Sequence, residues 1–116
     1  MIIKIKDLSV HTIIGVYDWE KTREQELLIN VEIDYDSSKA AKKDNIKYAL
    51  DYYNLCKMIV SEVEENEFNL LETMAAHLLK KIAKNKLVHS AVIEIDKPGC
   101  IPNAYGASVV ADYARD

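Results

Sequence analysis

The sequence predicts an α+β fold: a four-stranded antiparallel sheet with two long helices on one face, in the order ββααββ. Three observations predict it. Apolar residues alternate with polar ones toward both ends of the chain, over residues 2–16, 27–35, 88–96 and 107–113. The middle, residues 53–85, carries apolar residues at helical spacing. Strand runs and helix runs are thus segregated, which favours an antiparallel sheet backed by helices over a parallel βαβ arrangement. The 116 residues show no repeat or linker and are expected to form one domain, 1–116. A domain of this size buries roughly 60–70% of the surface its unfolded chain exposes. That supports one core but little room for a deep private cavity, so a site between subunits is plausible.

Residues 2–16 are expected as one long strand. Ile3, Ile5, Leu8, Val10, Ile13 and Val16 are apolar, Lys4, Lys6 and Ser9 lie between them, and the phase slips around Asp7, which signals a bulge. Gly15 ends the run, and 17–25 (YDWEKTREQ) is a polar connection. Leu27, Ile29, Val31, Ile33 and Tyr35 then alternate with Glu26, Leu28, Asn30, Glu32 and Asp34, the pattern of a half-exposed antiparallel strand. The two strands should pair as a hairpin. A short helix follows at 38–44. A longer one covers about 53–66, with Leu55, Ile59 and Val63 on one stripe. A third covers about 70–85, buried on Leu71, Ala75, Leu78, Leu79 and Ile82, with Asn69 as its expected N-cap. Strands at 88–96 and 107–113 finish the chain, divided by the Lys97-Pro98-Gly99 break.

Composition removes several function classes. Net charge is −4, and no basic stripe exists to neutralise phosphates, so nucleic acid is a poor partner. The lysines of KAAKKDNIK and LLKKIAKNK fall on helical spacing, mixed with apolar positions, and read as solvated helix faces. No apolar run is long enough to span a membrane, and the lysines of MIIKIKDLSV interrupt any secretory leader, so the expected location is cytoplasmic. Two cysteines are too few for a disulfide framework or a structural zinc site. Cys56 is expected in the core; Cys100 lies in a loop with no obvious base to activate it. His11, His77 and His89 lack ligand spacing, so no catalytic zinc and no other metal is expected. Gly15, Gly99 and Gly106 are scattered, which is no phosphate loop.

Four residues stand out by context. Glu72 lies in the opening of an otherwise apolar helix, and Lys97 ends a strand before a Pro-Gly turn. A charge at either place is destabilising unless something pairs with it. Glu72 reads as an N-terminal helix carboxylate, the capping-box partner of Asn69. It reads as readily as an anchor accepting two parallel N–H bonds from a flat, nitrogen-rich ligand. Lys97 is either a strand-end surface lysine or a general acid–base, a role that needs burial or a cationic neighbour. Tyr52, ahead of a helix, is either packing or a hydroxyl that holds or transfers a proton. Glu20 sits in a polar loop beside Lys21 and Arg23 and on its own is a solvated charge.

Taken together, IGVYDWE-x4-Q, LDYYNL, NLLE and DKPG resemble the dihydroneopterin aldolase family, in the right order and at matching separations, from Ile3 to about Tyr113. The resemblance implies the tunnelling fold, in which such sheets assemble into rings around a channel. It implies a homo-octamer of two stacked tetramers with active sites between neighbouring subunits. Carried over residue by residue, the pterin-anchoring glutamate falls on Glu72, with backbone contacts from Leu71. The loop glutamate falls on Glu20, the active-site tyrosine on Tyr52 and the acid–base lysine on Lys97. Backbone groups near Asp51 would line the pterin edge. The implied reaction is retro-aldol cleavage of 7,8-dihydroneopterin with no cofactor, and some epimerisation at C2′. Dihydroneopterin triphosphate epimerase is the runner-up and should carry extra basic groups near its site. A zinc enzyme of the same superfamily would need a histidine triad. A catalytically dead pterin-binding oligomer would be expected to lose Lys97 and Tyr52.

Overall fold

The computed structural model describes residues 1–116. Four strands, β1 (Ile2–Thr12), β2 (Gln25–Tyr35), β3 (Val88–Pro98) and β4 (Gly106–Ala114), form one sheet in the order β1-β2-β3-β4, every pair antiparallel. Between β2 and β3 the chain makes a short helix α1 (Ser38–Lys43) and two longer ones, α2 (Tyr52–Glu65) and α3 (Leu71–Ala83). Helix α2 lies against β1, and α3 against β3 and β4, so both cover the same face. The segregated pattern of the sequence is realised as expected.

The period-2 pattern places the core. Leu27, Ile29, Val31, Ile33 and Tyr35 of β2 are buried, as are Ala91, Ile93 and Ile95 of β3. From the helices, Ile59, Val63, Met74, Ala75, Leu78, Leu79 and Ile82 close over them. Each fully buried Ile or Leu removes enough apolar surface from water to stabilise the fold by roughly 1.5–3 kcal/mol. The opposite face of the sheet carries Lys4, Glu32, Val92 and Val110, all exposed.

Several boundaries differ from expectation, each for a local reason. Strand β1 stops at Thr12, because Ile14 leaves β2 and forms a parallel bridge to Phe68. Its bulge is real: the register shifts between Ile5 and Leu8, Asp7 takes a left-handed backbone (φ 52°), and its N–H donates to Asn30 Oδ1 at 2.9 Å. The polar stretch 17–25 is not wholly irregular, since Glu20–Thr22 form a 3₁₀ turn. Strand β3 continues through Lys97 and Pro98, paired with Ala107 and Gly106, so the break comes at Gly99. Asn69 does not cap α3. Leu70 occupies that position without a side-chain bond, and the Asn69 side-chain Oδ1 instead accepts from Lys21 Nζ at 3.4 Å. The expected capping box with Glu72 is therefore absent. Cys56 is half-buried rather than core, and burial pushes its thiol pKa up.

Candidate active site

Two of the four residues singled out by the sequence meet directly. Glu20 comes from the 3₁₀ turn, Lys97 from the end of β3, and Lys97 Nζ donates to Glu20 Oε2 at 2.5 Å across 77 residues of sequence. The pair is withdrawn from water: Glu20 is 4% exposed and the Lys97 side chain 12%. Glu20 is thus no solvated loop charge. Desolvating two ions is unfavourable, and such a pair persists only where further hydrogen bonds satisfy it. Those bonds are present. Gln25 Nε2 donates to Glu20 Oε2 at 3.3 Å, and the Tyr17 N–H to Oε1 at 3.4 Å. The Lys97 ammonium above all holds the Glu20 carboxyl below its ordinary pKa; burial opposes it, and the Gln25 and Tyr17 donors add to the lowering.

Local sequence explains how a polar loop delivers a buried carboxylate. Gly15 adopts φ +129°, and a Cβ built on it would fall on the Glu20 carboxylate. The turn closes through Glu20 N–H to Tyr17 carbonyl at 3.0 Å. These two features fold the loop back so that Glu20 points inward, while Tyr17, Trp19 and Val16 remain exposed.

Glu72 lies at the same end of the molecule. Thr12 Oγ1 donates to the Val63 carbonyl at 3.5 Å, Thr12 pairs with Gln25, and Asp96 pairs with Leu28. The close of α2, the start of β2 and the end of β3 therefore share one end of the sheet. Helix α3 begins there too, since Phe68 bridges Ile14 and Asn69 binds Lys21 beside Glu20. Glu72, in the first turn of α3, is exposed and enters no ion pair of the chain; Leu71 is half-buried. The desolvation expected of Glu72 is not present in the single chain. Its carboxylate is free to accept, and the helix N-terminus favours its charge.

Tyr52 and Asp51 lie elsewhere. They open α2, whose fourteen residues at 1.5 Å rise put Tyr52 about 20 Å from the helix end that meets Thr12. Tyr52 is 60% exposed. Asp51 is half-buried and caps α2, accepting from Asn54 N at 3.2 Å and from Asn54 Nδ2 at 2.9 Å. Beside Lys97 is a hollow of about 300 Å³ bordered by Leu28, Asp96, Tyr105 and Ser108, open to solvent on one side. The candidate residues thus fall into two groups at opposite ends of the chain: a Glu20–Lys97 pair withdrawn from water with the free Glu72 carboxylate nearby, and the exposed Tyr52.

The sequence marks Gly15 only as the end of the first strand run and Gln25 only as the last residue of the IGVYDWE-x4-Q motif; nothing local marks either as a partner of Glu20. Only the separation of Glu20 from Gln25 within one motif hints at it.

Comparison with known proteins bears on the same residues. The family model described as dihydroneopterin aldolase matches residues 3–112. The chain is 37% identical over 107 residues to dihydroneopterin triphosphate 2′-epimerase of Pseudomonas aeruginosa, covering 92% of this chain and 87% of the relative. It is 36% identical over 115 residues to dihydroneopterin aldolase of Escherichia coli, covering 99% and 94%. The crystal structure of Escherichia coli dihydroneopterin aldolase in complex with neopterin superposes with a TM-score of 0.93 at 35% identity, covering 98% of this chain and 99% of that one. The matched span runs from β1 nearly to the end of β4 and so contains Glu20, Tyr52, Glu72 and Lys97 together: the chain belongs to the dihydroneopterin aldolase family.

Proposed function

We propose that this chain is a 7,8-dihydroneopterin aldolase, a carbon–carbon lyase yielding 6-hydroxymethyl-7,8-dihydropterin and glycolaldehyde on the route to folate. The observation that carries this reading is the buried Glu20–Lys97 pair standing at the strand end next to the opening of α3. Near full-length likeness to an aldolase solved with neopterin supports it.

The chemistry follows from the substrate. Cleaving C1′–C2′ requires loss of the C2′ hydroxyl proton, an electron sink at C6, and a new proton on C1′. The C6=N5 imine of the pterin is that sink. As the bond breaks, C2′ becomes the glycolaldehyde carbonyl and the electron pair forms a C1′=C6 enamine with N5 protonated. Protonation at C1′ and loss of the N5 proton restore the imine. Glu72 holds the 2-amino group and N3 through two parallel hydrogen bonds, with Leu71 backbone beside it. Lys97 supplies the proton at N5, directly or through water. Glu20 holds Lys97 in place and orients the side-chain hydroxyls or a water. Tyr52 assists delivery of the proton to C1′, and backbone near Asp51 lines the ring edge. Return of glycolaldehyde by its opposite face gives the C2′ epimer, so epimerisation accompanies cleavage.

Because Tyr52 and Lys97 lie at opposite ends of one chain, the working site takes Tyr52 from a neighbouring copy. Both edge strands, β1 and β4, are unpaired in the single chain and uncovered edges seek partners. Pairing of β1 of one copy with β4 of the next closes a ring, and two stacked tetrameric rings give the octamer. No helix of the chain is long and apolar enough to cross a membrane, in keeping with a cytoplasmic enzyme.

Release of glycolaldehyde from 7,8-dihydroneopterin tests the reading; its absence in the assembled protein contradicts it. A second reading, dihydroneopterin triphosphate 2′-epimerase, is favoured by the Pseudomonas aeruginosa relative. Comparing cleavage with C2′ inversion on the free and triphosphorylated substrates separates the two.

A further inference from the structure

Gln25 opens β2 opposite Thr12 and is half-buried. Its amide nitrogen donates twice, to the Ile14 carbonyl at 2.9 Å and to Glu20 Oε2 at 3.3 Å. Both partners only accept, so the chemistry decides which end of the amide faces them. Ile14 is itself fixed, 1% exposed and bridged to Phe68. Lys97 reaches Glu20 on a long flexible stem, and one such contact leaves the carboxylate free to swing with it. Besides the Tyr17 N–H on Oε1, the Gln25 bridge ties Oε2, the oxygen that Lys97 binds, to the rigid Ile14 carbonyl.

We infer that Gln25 is a positioning residue of the site: it ties the Glu20 carboxylate to the buried Ile14 carbonyl and thereby fixes where the Lys97 ammonium stands. The inference rests on the reading of Glu20 and Lys97 as the proton-handling pair. Glu20 is faced by Lys97 from β3, by Gln25 from β2 and by the Tyr17 N–H from its own loop, while the adjacent Lys21 turns to Asn69. Gln25 therefore provides the one neutral side-chain donor on that carboxylate. Removing it leaves ionised Glu20 less stabilised. A glutamate in its place would set a second carboxylate against Glu20 and against the Ile14 carbonyl.

The test uses the assembled protein with Gln25→Met, which keeps the length and removes the donor, and Gln25→Glu. For Gln25→Met, kcat should fall on the order of 10- to 100-fold, as expected for misplaced catalytic groups, with KM little changed. The acid limb of the kcat profile should move to higher pH, and further in Gln25→Glu. The Glu20 carboxyl, followed by ¹³C NMR and assigned with Glu20→Gln, should titrate at higher pH in both variants even without substrate. An acid limb and a Glu20 titration that stay where they are in the wild type overturn the inference, whatever happens to kcat. So does failure of both variants to assemble, which would make Gln25 a structural residue only. If the wild type releases no glycolaldehyde the aldolase reading fails, and the NMR titration still decides the role of Gln25.

Discussion

The two ends of the sheet handle polar groups in opposite ways. At the end where β3 finishes, an acid and an ammonium are buried together and held by Gln25 and the Tyr17 N–H. At the end where α2 begins, Tyr52 and Tyr53 stand exposed, and only Lys57 approaches, over the Tyr53 ring. One end is organised within the single chain; the other is left open to solvent. In the assembly proposed above, a chain too small to build a deep pocket would supply both walls of one by repetition, the buried end of each copy meeting the exposed end of the next.

This asymmetry predicts asymmetric consequences of mutation. The largest effect should come from Lys97→Ala. Turnover of 7,8-dihydroneopterin should fall by about 10²–10⁴-fold, the usual contribution of a general acid–base group, with much less change in pterin affinity. Turnover within twofold of wild type in steady-state assays would remove Lys97 from the mechanism. The same substitution strands Glu20 as a buried unpaired charge, at a stability loss of about 3–5 kcal/mol. Deleting both partners, as in Glu20→Leu with Lys97→Met, should be less damaging to denaturant stability than Lys97→Met alone.

Glu72→Ala should act next, and differently. It should weaken neopterin binding by roughly 1–3 kcal/mol, as loss of an anchoring hydrogen-bond partner does, and leave unfolding almost unchanged because Glu72 is exposed. Calorimetry showing unaltered affinity would contradict the anchor. Tyr52→Phe should alter stability by no more than about 0.5 kcal/mol, as surface substitutions do, while slowing turnover. A large loss of stability there would mean that the exposed end is not the loose one.

Acidity probes the buried end by itself. The Glu20 carboxyl is held below its ordinary value, so its ionised form contributes stability that is fully present above the unfolded-state value, about 4.3. That contribution is lost as pH falls through the lowered folded value. Thermal melts should therefore show the wild type losing an acid-range stability increment that Glu20→Gln lacks. Parallel curves for the two proteins would argue against the pairing.

The fold was largely legible because its signals are local. Alternation from Leu27 to Tyr35 and the stripe Leu55–Ile59–Val63 are nearest-neighbour patterns, and the buried faces they imply are the ones observed, Leu55 being partly buried. Asp7 betrayed its bulge by a slip of phase. The site was legible as a set of residues and illegible as geometry. Glu20 is bracketed by Asp18, Lys21 and Arg23, and no local pattern distinguishes a carboxylate folded inward by Gly15 from one in water. Its partner lies 77 positions away. Asn69 is not the cap, since Leu70 holds that position; its side-chain oxygen accepts instead from Lys21, also remote in sequence. Sequence context raised the requirement that Lys97 be buried or beside a cation. The structure withdraws most of the Lys97 side chain from water and reverses the second condition, setting an anion, Glu20, beside the lysine.

The most direct test of a site divided between copies is complementation. Lys97→Ala and Tyr52→Phe chains, each slowed when alone, are unfolded together and reassembled in equal amounts. If Lys97 of one copy works with Tyr52 of its neighbour, random mixing should restore about a quarter of the wild-type sites, because each junction needs an intact residue from either side. Mixed assemblies that form normally but stay as slow as their parents would show that no junction joins the two ends, and the divided site would be wrong.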